Sequence, residues 1–586
     1  MRLSTIVSVL FGAAVSTYAL TAPDHFPIEK RATLDEYIAS EGPIALAGVL
    51  ANIGTAGSKS QGAKAGVVIA SPSKTDPDYV YTWARDSALV FKGLIDRYVA
   101  GRDTDRLPLI QQYVTSQSHL QNLDNPSGAA NGLGLGEPKF NIDESAFTGG
   151  WGRPQRDGPA LRATALITLA NYLLSSNPSY VTGTLWPMIT LDLRYVAAYW
   201  NTTGFDLWEE ISSSSFFTTA VQHRSLREGI ALAGKLGNST DVSTWTTQAS
   251  NVLCFLQSYW GGSSITANTG GGRSGLDANT ILASVHTYSS NAGCDAATFQ
   301  PCSDKALAGH KAVVDSFRGS LYPINSGIAS NAGVAIGRYK EDSYYGGQPW
   351  YICTFAAAEQ LYLAIQTWTT AQSITVTSIS QPFFAQFVSG IAVGTYASTT
   401  TTYTTLISSV KTFADGFLAI NQKYTPASGA LSEQYRRDNG SQTSATDLTW
   451  SYASALTAFD RRAGILPPTW PAANLTVPAT CSGGSGGGST SAVTFIVNAT
   501  TVFGENIYLT GSVSELANWS PDSALGPLSN PNYPLWQVTV NVPASTSIQY
   551  KYIRKYNGVV TWESDPNRSF TSPAAGGSVT LNDTWR

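Results

Sequence analysis

The stretch that decides the fold is Asp157-Gly158-Pro159-Ala160-Leu161-Arg162-Ala163-Thr164-Ala165-Leu166-Ile167-Thr168-Leu169-Ala170-Asn171-Tyr172-Leu173. Asp can cap a helix and Pro suits its first turn, while Leu161, Ala165, Leu166, Leu169 and Leu173 share one face at helical spacing. Working outward, similar segments occupy residues 185–200, 221–236, 252–260, 355–368, 407–420 and 448–459. Loops rich in Gly, Trp, Arg and Asp separate them. The pattern predicts an all-α domain over residues 32–471 whose long loops, held on a rigid scaffold, are the natural place for chemistry.

The period then changes. Ser482-Gly483-Gly484-Ser485-Gly486-Gly487-Gly488-Ser489 reads as a flexible linker, set within residues 472–491. Beyond it, residues 493–497, 506–510, 537–542, 548–554 and 559–563 alternate with period two between Pro, Gly and Asn turns. Residues 492–586 are therefore expected to form an all-β sandwich of immunoglobulin-like type. The chain is multidomain, as 586 residues exceed one ordinary core.

At the other end, Arg2 precedes an apolar run over residues 6–15, and Thr17-Tyr18-Ala19 offers small residues at the cleavage positions. This reads as a signal peptide over 1–19, followed by a propeptide over 20–31 ending in the dibasic Lys30-Arg31. Removing Arg2, Lys30, Arg31, Asp24 and Glu29 takes the net charge from -4 to -5. A nucleic-acid binder needs a basic excess, so that class is set aside. No later segment reads as membrane-spanning, and the product is expected to be secreted and extracellular. In that setting Cys294 and Cys302 should pair, Cys254 and Cys481 could staple the end of the first domain to its body, and Cys353 should be a buried free thiol. No cysteine pair or histidine cluster has metal-ligand spacing, so neither metal nor other cofactor is expected.

Chemistry is concentrated in five segments: Tyr79-Val80-Tyr81-Thr82-Trp83-Ala84-Arg85-Asp86, Trp151-Gly152-Arg153-Pro154-Gln155-Arg156-Asp157, Asp206-Leu207-Trp208-Glu209-Glu210, Arg338-Tyr339-Lys340-Glu341-Asp342-Ser343-Tyr344, and Ser432-Glu433-Gln434-Tyr435. Aromatic faces stack on a pyranose, Asp and Arg bond its hydroxyls, and two carboxyls can cut the bond, one protonating the leaving oxygen and one activating water. Each segment also has a plain structural reading. Arg–Asp pairs make salt bridges, Glu209-Glu210 could be a solvated helix start, and loop Trp residues can cap a core. Five together favour a sugar site, yet residue physics alone does not choose between Glu209 and Glu210.

These segments, with Phe140-Asn141-Ile142-Asp143-Glu144, closely resemble the fungal glucoamylase family over residues 32–471, and the C-terminal part resembles that family's starch-binding domain. The resemblance implies an (α/α)6 barrel, with Glu209 as general acid and Glu433 as general base. It implies that Tyr79 lies near the base and the attacking water, and that Arg85, Asp86, Arg338 and Glu210 contact substrate. Leu207 and Asp342 join this substrate set, and Trp83, Trp151, Trp208, Trp350 and Trp450 are the pocket aromatics. In the smaller domain it assigns Trp519, Lys551, Trp562, Glu563 and Asn567 to a first starch site. A second site is less well matched, with Phe503 at a tyrosine position and Tyr533 as a partner.

The activity so implied is exo-acting, inverting hydrolysis of terminal α-1,4 and more slowly α-1,6 glucosidic bonds, releasing β-D-glucose. The partners implied are starch, glycogen and maltooligosaccharides, acted on by a monomer with no nucleic-acid or membrane partner. Two alternatives stay open: a related α-glycosidase of different linkage preference, and a non-catalytic glucan-binding protein. Asn-x-Ser/Thr acceptors occur at Asn201, Asn238, Asn439, Asn474, Asn498, Asn518, Asn567 and Asn582. At Asn567 the glycosylation signal and the starch-site match exclude each other.

Overall fold

The computed structural model describes residues 33–478 and 490–586, apart from 503, 545 and 574–576. The signal peptide, propeptide, most of the linker, Cys481 and Phe503 lie outside these residues. Twelve helices of eight residues or more occur among the described residues: α1 (Leu34–Ala51), α2 (Ala84–Val99), α3 (Leu107–Gln121), α4 (Gly158–Leu173), α5 (Trp186–Tyr199), α6 (Phe216–Leu236), α7 (Val242–Leu256), α8 (Asn279–His286), α9 (Asp304–Ser316), α10 (Tyr351–Ala371), α11 (Thr401–Tyr424) and α12 (Thr449–Arg462).

The even-numbered helices pack in a closed circuit, α2 on α4, α4 on α6, α6 on α8, α8 on α10, α10 on α12 and α12 back on α2. Each odd-numbered helix lies outside, α1 on α12, α3 on α2, α5 on α4, α7 on α6, α9 on α8 and α11 on α10. This is the (α/α)6 barrel.

Composition follows position. An inner helix meets neighbours on every side, so α4 is buried without a break from Gly158 to Ala170. The face read from its sequence is real but is only part of what it buries. Outer α11 instead buries a stripe, with Tyr403, Leu406, Val410, Phe413, Ala414 and Phe417 at helical spacing. The periodicity singled out seven of the twelve helices; α1, α2, α3, α8 and α9 were not anticipated. In α1, Gly42-Pro43 interrupts the run, although Thr33 and Glu36 form a capping box at its start. In α2, the opening Ala84-Arg85-Asp86 belongs to what reads as a charged loop.

Asp157 precedes α4 as expected, but its side chain makes no capping bond. It accepts instead from Arg85 Nη1 at 3.1 Å. Burial of the arginine explains this, since a buried guanidinium demands an anion more than a helix end demands a cap.

The second domain has eight strands among its described residues: β1 (Thr490–Asn498), β2 (Asn506–Gly511), β3 (Ser529–Asn532), β4 (Leu535–Pro543), β5 (Ser547–Tyr556), β6 (Val559–Trp562), β7 (Arg568–Thr571) and β8 (Ser578–Thr584). One sheet runs β3–β4–β1–β8, with β8 parallel to β1. In the other, β5 pairs with β2 along one edge and with β7 and then β6 along the other. Val493, Phe495 and Val497 of β1 meet Ile507, Leu509, Ile548, Tyr550 and Tyr552 of the facing sheet in one core. The five expected strands are present; β3, β7 and β8 are additional, being short or polar on their outer face.

Cys294 and Cys302 are bonded, and Cys353 is a buried thiol. Cys254 is buried on α7, its sulfur 3.5 Å from the Pro478 carbonyl, and its expected partner falls outside the described residues.

Close packing gives a direct test of the barrel. A Cβ at Gly333 would lie 2.3 Å from Phe417 N and 2.4 Å from Gly416 C, both backbone atoms of α11. Gly333→Ala should cost about 1–3 kcal/mol of stability, measured by denaturant unfolding. An unchanged midpoint would contradict this seating of the loop on α11.

Candidate active site

Strict inner–outer alternation makes all six inner helices run the same way, so their N-terminal ends gather at one mouth. Trp83, Asp157, Trp350 and Leu448 are the residues at which α2, α4, α10 and α12 begin. A cavity of about 520 Å³ opens there, lined by Tyr79, Trp83, Arg85, Asp86, Trp151, Leu207, Trp208, Glu209, Glu210, Arg338, Trp350, Glu433 and Trp450. Residues scattered over 372 positions of sequence thus share one wall.

Asp342 is set apart from this group. It lies behind Arg338, whose Nε and Nη2 it holds at 2.8 and 2.7 Å, and so orients the arginine rather than lining the cavity. Ala70, Pro77, Asp78, Gly152, Tyr344 and Leu448 complete the wall. Sequence reasoning assigned none of these, although Tyr344 ends one of the five segments.

The segment carrying Glu209 and Glu210 is shaped by Asp206. Its buried carboxylate accepts from the amides of Glu210 at 3.0 Å and Ile211 at 3.2 Å, and from Asn268 Nδ2 at 3.1 Å. Glu209 then takes φ 66°, a left-handed conformation uncommon for a non-glycine residue. The two glutamates are given different partners. Glu209 Oε1 accepts from Trp83 Nε1 at 2.8 Å, Gln155 Nε2 at 2.9 Å and Arg85 Nη2 at 3.3 Å. Glu210 is held by Arg338 Nη2 at 2.8 Å, Arg273 Nη2 at 2.5 Å and the Tyr339 hydroxyl.

On the wall of the same cavity, Glu433 precedes the hairpin formed by Gln434–Tyr435 and Gln442–Thr443. Its Oε2 accepts from Gln434 Nε2 at 2.8 Å and from the Ser444 hydroxyl. Burial raises its carboxyl above the ordinary value, while Ser444, Gln434, Arg338 and Tyr79 favour the charged form. Tyr79 bonds the Tyr344 hydroxyl at 2.8 Å. Asp86 is pushed up to about 7, first by burial, with Arg85 opposing and Glu209, Asp157 and Glu433 adding to the rise.

The indole N–H groups of Trp151 and Trp350 are buried with no partner among the described residues. Chemically, the cavity offers five carboxyls in different environments, those of Asp78, Asp86, Glu209, Glu210 and Glu433, with two arginines and a ring of aromatic faces. Among the described residues no three His, Cys, Asp or Glu side chains converge as metal ligands, and no helix is long and apolar enough to cross a membrane.

In the β-sandwich, Trp562 ends β6 and is 40% exposed, and Trp519 closes a short 3-10 turn over Ser514–Trp519. Lys551 bonds the Glu563 carbonyl at 3.2 Å and Asp565 Oδ1 at 2.6 Å. The Glu563 carboxylate is turned inward, bonded to Arg568 and to the amide of Tyr552. Asn567 is exposed, and its amide nitrogen donates to Gln549 Oε1 at 2.9 Å. Tyr533 is exposed, with its hydroxyl tied to the Thr501 backbone.

Residues 43–460 match the family described as Glycosyl hydrolases family 15, and residues 490–581 match that described as Starch binding domain. Glucoamylase-1 of Schizophyllum commune is 62% identical over 94% of this chain and 96% of its own length. The glucoamylase of Neurospora crassa is 45% identical over 99% and 100%. Among solved structures, the family 15 glucoamylase from Hypocrea jecorina superposes with a TM-score of 0.74 at 50% identity, covering 94% of this chain and 100% of that one. By the match over its helical domain and the near full-length likeness to these proteins, the chain belongs to glycosyl hydrolases family 15.

Proposed function

We propose that the protein is a glucoamylase, an exo-acting inverting glycosidase that removes β-D-glucose from the non-reducing ends of starch and maltooligosaccharides. The observation that carries this reading is the placing of Glu209 and Glu433 on one cavity with unlike hydrogen-bond partners. Glu209 is the acid. Among the described residues all its donors meet Oε1, which leaves Oε2 to carry the proton delivered to the glycosidic oxygen. Glu433 is the base. Ser444 and Gln434 donate to its Oε2 and orient the carboxylate, which takes a proton from water as that water attacks the anomeric carbon from the opposite face.

Charge developing on the sugar ring is stabilised by the carboxylates, and Arg85, Asp86 and Arg338 hold hydroxyls of the terminal glucose. Glu210, bound to two arginines, serves as an acceptor and not as a proton donor. Trp562, Trp519, Lys551 and Asn567 form a starch-adsorbing site, with Glu563 holding Arg568 beneath it. The leader over 1–19 and the propeptide over 20–31 direct secretion, and the catalytic domain, linker and starch-binding domain follow over 32–471, 472–491 and 492–586. The enzyme acts as a monomer.

The assignment of the acid is tested by two amide variants. Glu209→Gln should lose at least ~10²-fold in kcat on maltose with little change in substrate binding. Full turnover in Glu209→Gln, with Glu210→Gln inactive, would reverse the two roles.

The base gives a pH test with a defined sign. Activity is lost on the acid side as Glu433 takes up a proton, and its raised value places that limb above an ordinary glutamate, which titrates near ~4.3. Ser444→Ala removes a donor that favours the carboxylate, so the acid limb of kcat should move further up. A limb that stays or moves down would contradict the role given to Glu433.

For the smaller domain, Trp562→Ala should weaken adsorption to granular starch about tenfold or more while maltose hydrolysis is kept, and glycopeptide mass spectrometry should find Asn567 unmodified. Full glycan occupancy at Asn567 in protein that adsorbs normally would remove Asn567 from the starch site.

A further inference from the structure

Lys139 is a lysine in an unusual place. It begins the two-strand ladder Lys139–Asn141 against Tyr81–Trp83, directly opposite Trp83, and it is only 2% exposed. Four ring faces surround its ammonium. Nζ lies 4.0 Å from the ring centre of Tyr81, 4.8 Å from Trp83, 4.3 Å from Phe147 and 3.5 Å from Trp151. The rings also brace one another edge to face, Tyr81 on Phe147, Phe147 on Trp151 and Trp151 on Trp83. Trp83 and Trp151 line the cavity, and Trp83 donates to Glu209.

A cation over the face of an aromatic ring is attracted by its quadrupole, most strongly for indole and most strongly when water is excluded. It also draws electron density from the ring, which makes the indole N–H a better donor. Both effects act on the same hydrogen bond, Trp83 to Glu209.

We propose that Lys139 is a positioning residue for the proton-donating carboxyl. Its ammonium clamps Trp83 and Trp151 by their faces, fixes the Trp83 N–H on Glu209 Oε1, and favours the carboxylate that Glu209 becomes when its proton passes to the leaving oxygen. The clamp rests on Glu209 being the acid. Glu209, Asp78 and Arg153 are the charged groups that act on Lys139, the first two favouring its charge and Arg153 opposing it. Burial is the larger influence and pushes the amine down to about 8, so the ammonium is fully charged under acidic conditions.

The test is a pH profile of kcat for maltose hydrolysis by the full-length enzyme. An ammonium beside a proton donor favours the donor's deprotonated form, so removing it shifts the alkaline limb of kcat upward. Lys139→Met should therefore cut kcat by about tenfold with KM little changed, and move the alkaline limb up by at least ~0.5 pH unit. Lys139→Arg should return the limb towards its original place, a rescue that a merely structural lysine would not show. A folded Lys139→Met enzyme with the original limb and kcat overturns the clamp. If Lys139→Met does not fold, indole emission of the unaltered enzyme is titrated from ~7 to ~9.5. A change with its midpoint near the lowered amine value supports the ring–ammonium contact, and flat emission overturns it. Failure of the acid assignment is a separate result, seen as full activity in Glu209→Gln.

Discussion

The turn that carries two glutamates of the cavity wall depends on one buried carboxylate, that of Asp206. By accepting from the amides of Glu210 and Ile211, it closes a tight turn and obliges Glu209 to adopt a left-handed backbone. That conformation costs about 1–2 kcal/mol in a non-glycine residue. The buried bonds to Asp206 offset it, since without them the carboxylate would keep only its bond from Asn268. The turn places two adjacent glutamates in unlike settings, Glu209 on Trp83, Gln155 and Arg85, and Glu210 on Arg338 and Arg273. Two equal residues in sequence thereby acquire unequal chemistry.

The barrel supplies the other constraint. A ring of six inner helices, each joined to the next through an outer one, has all its inner N-terminal ends on the same side. Those ends carry partial positive charge. Asp86, Glu209 and Glu433 are gathered at this mouth, where helix ends and the guanidinium groups of Arg85 and Arg338 together make a concentration of carboxylates tolerable. Supporting pairs lie one layer back. Asp157 holds Arg85, and Asp342 holds Arg338 by both oxygens. The aromatic faces between these charges exclude water and so strengthen every hydrogen bond among them.

Much of this was legible in the sequence, and what was not has identifiable causes. The run from Gly158 to Leu173 announced helix through spacing, and the change to period two beyond the Gly/Ser stretch announced a second, β-rich body. The five segments rich in acids, arginines and aromatics came together in one cavity because each sits where an inner helix begins or where a loop crosses the mouth. Residues acting from a distance left no such signal. Ser444 reaches Glu433 only because a hairpin folds back, Arg273 reaches Glu210 from an otherwise Gly-rich loop, and Lys139 meets Trp83 only through strand pairing. Asp157 shows the converse case, in which a local signal for capping was overridden by the tertiary need of Arg85. Helix α2 was hidden for a related reason, because the charged residues that open it serve the site and not the helix.

The central claim is that Glu433 directs a water molecule to the face of the sugar opposite the proton delivered by Glu209. Proton NMR of the anomeric signals, recorded in the first moments of maltoheptaose hydrolysis and before mutarotation, tests it most directly. The account predicts that newly released glucose appears as the β-anomer. Initial release of α-glucose would show retention of configuration and would contradict the single-displacement roles given to both carboxyls.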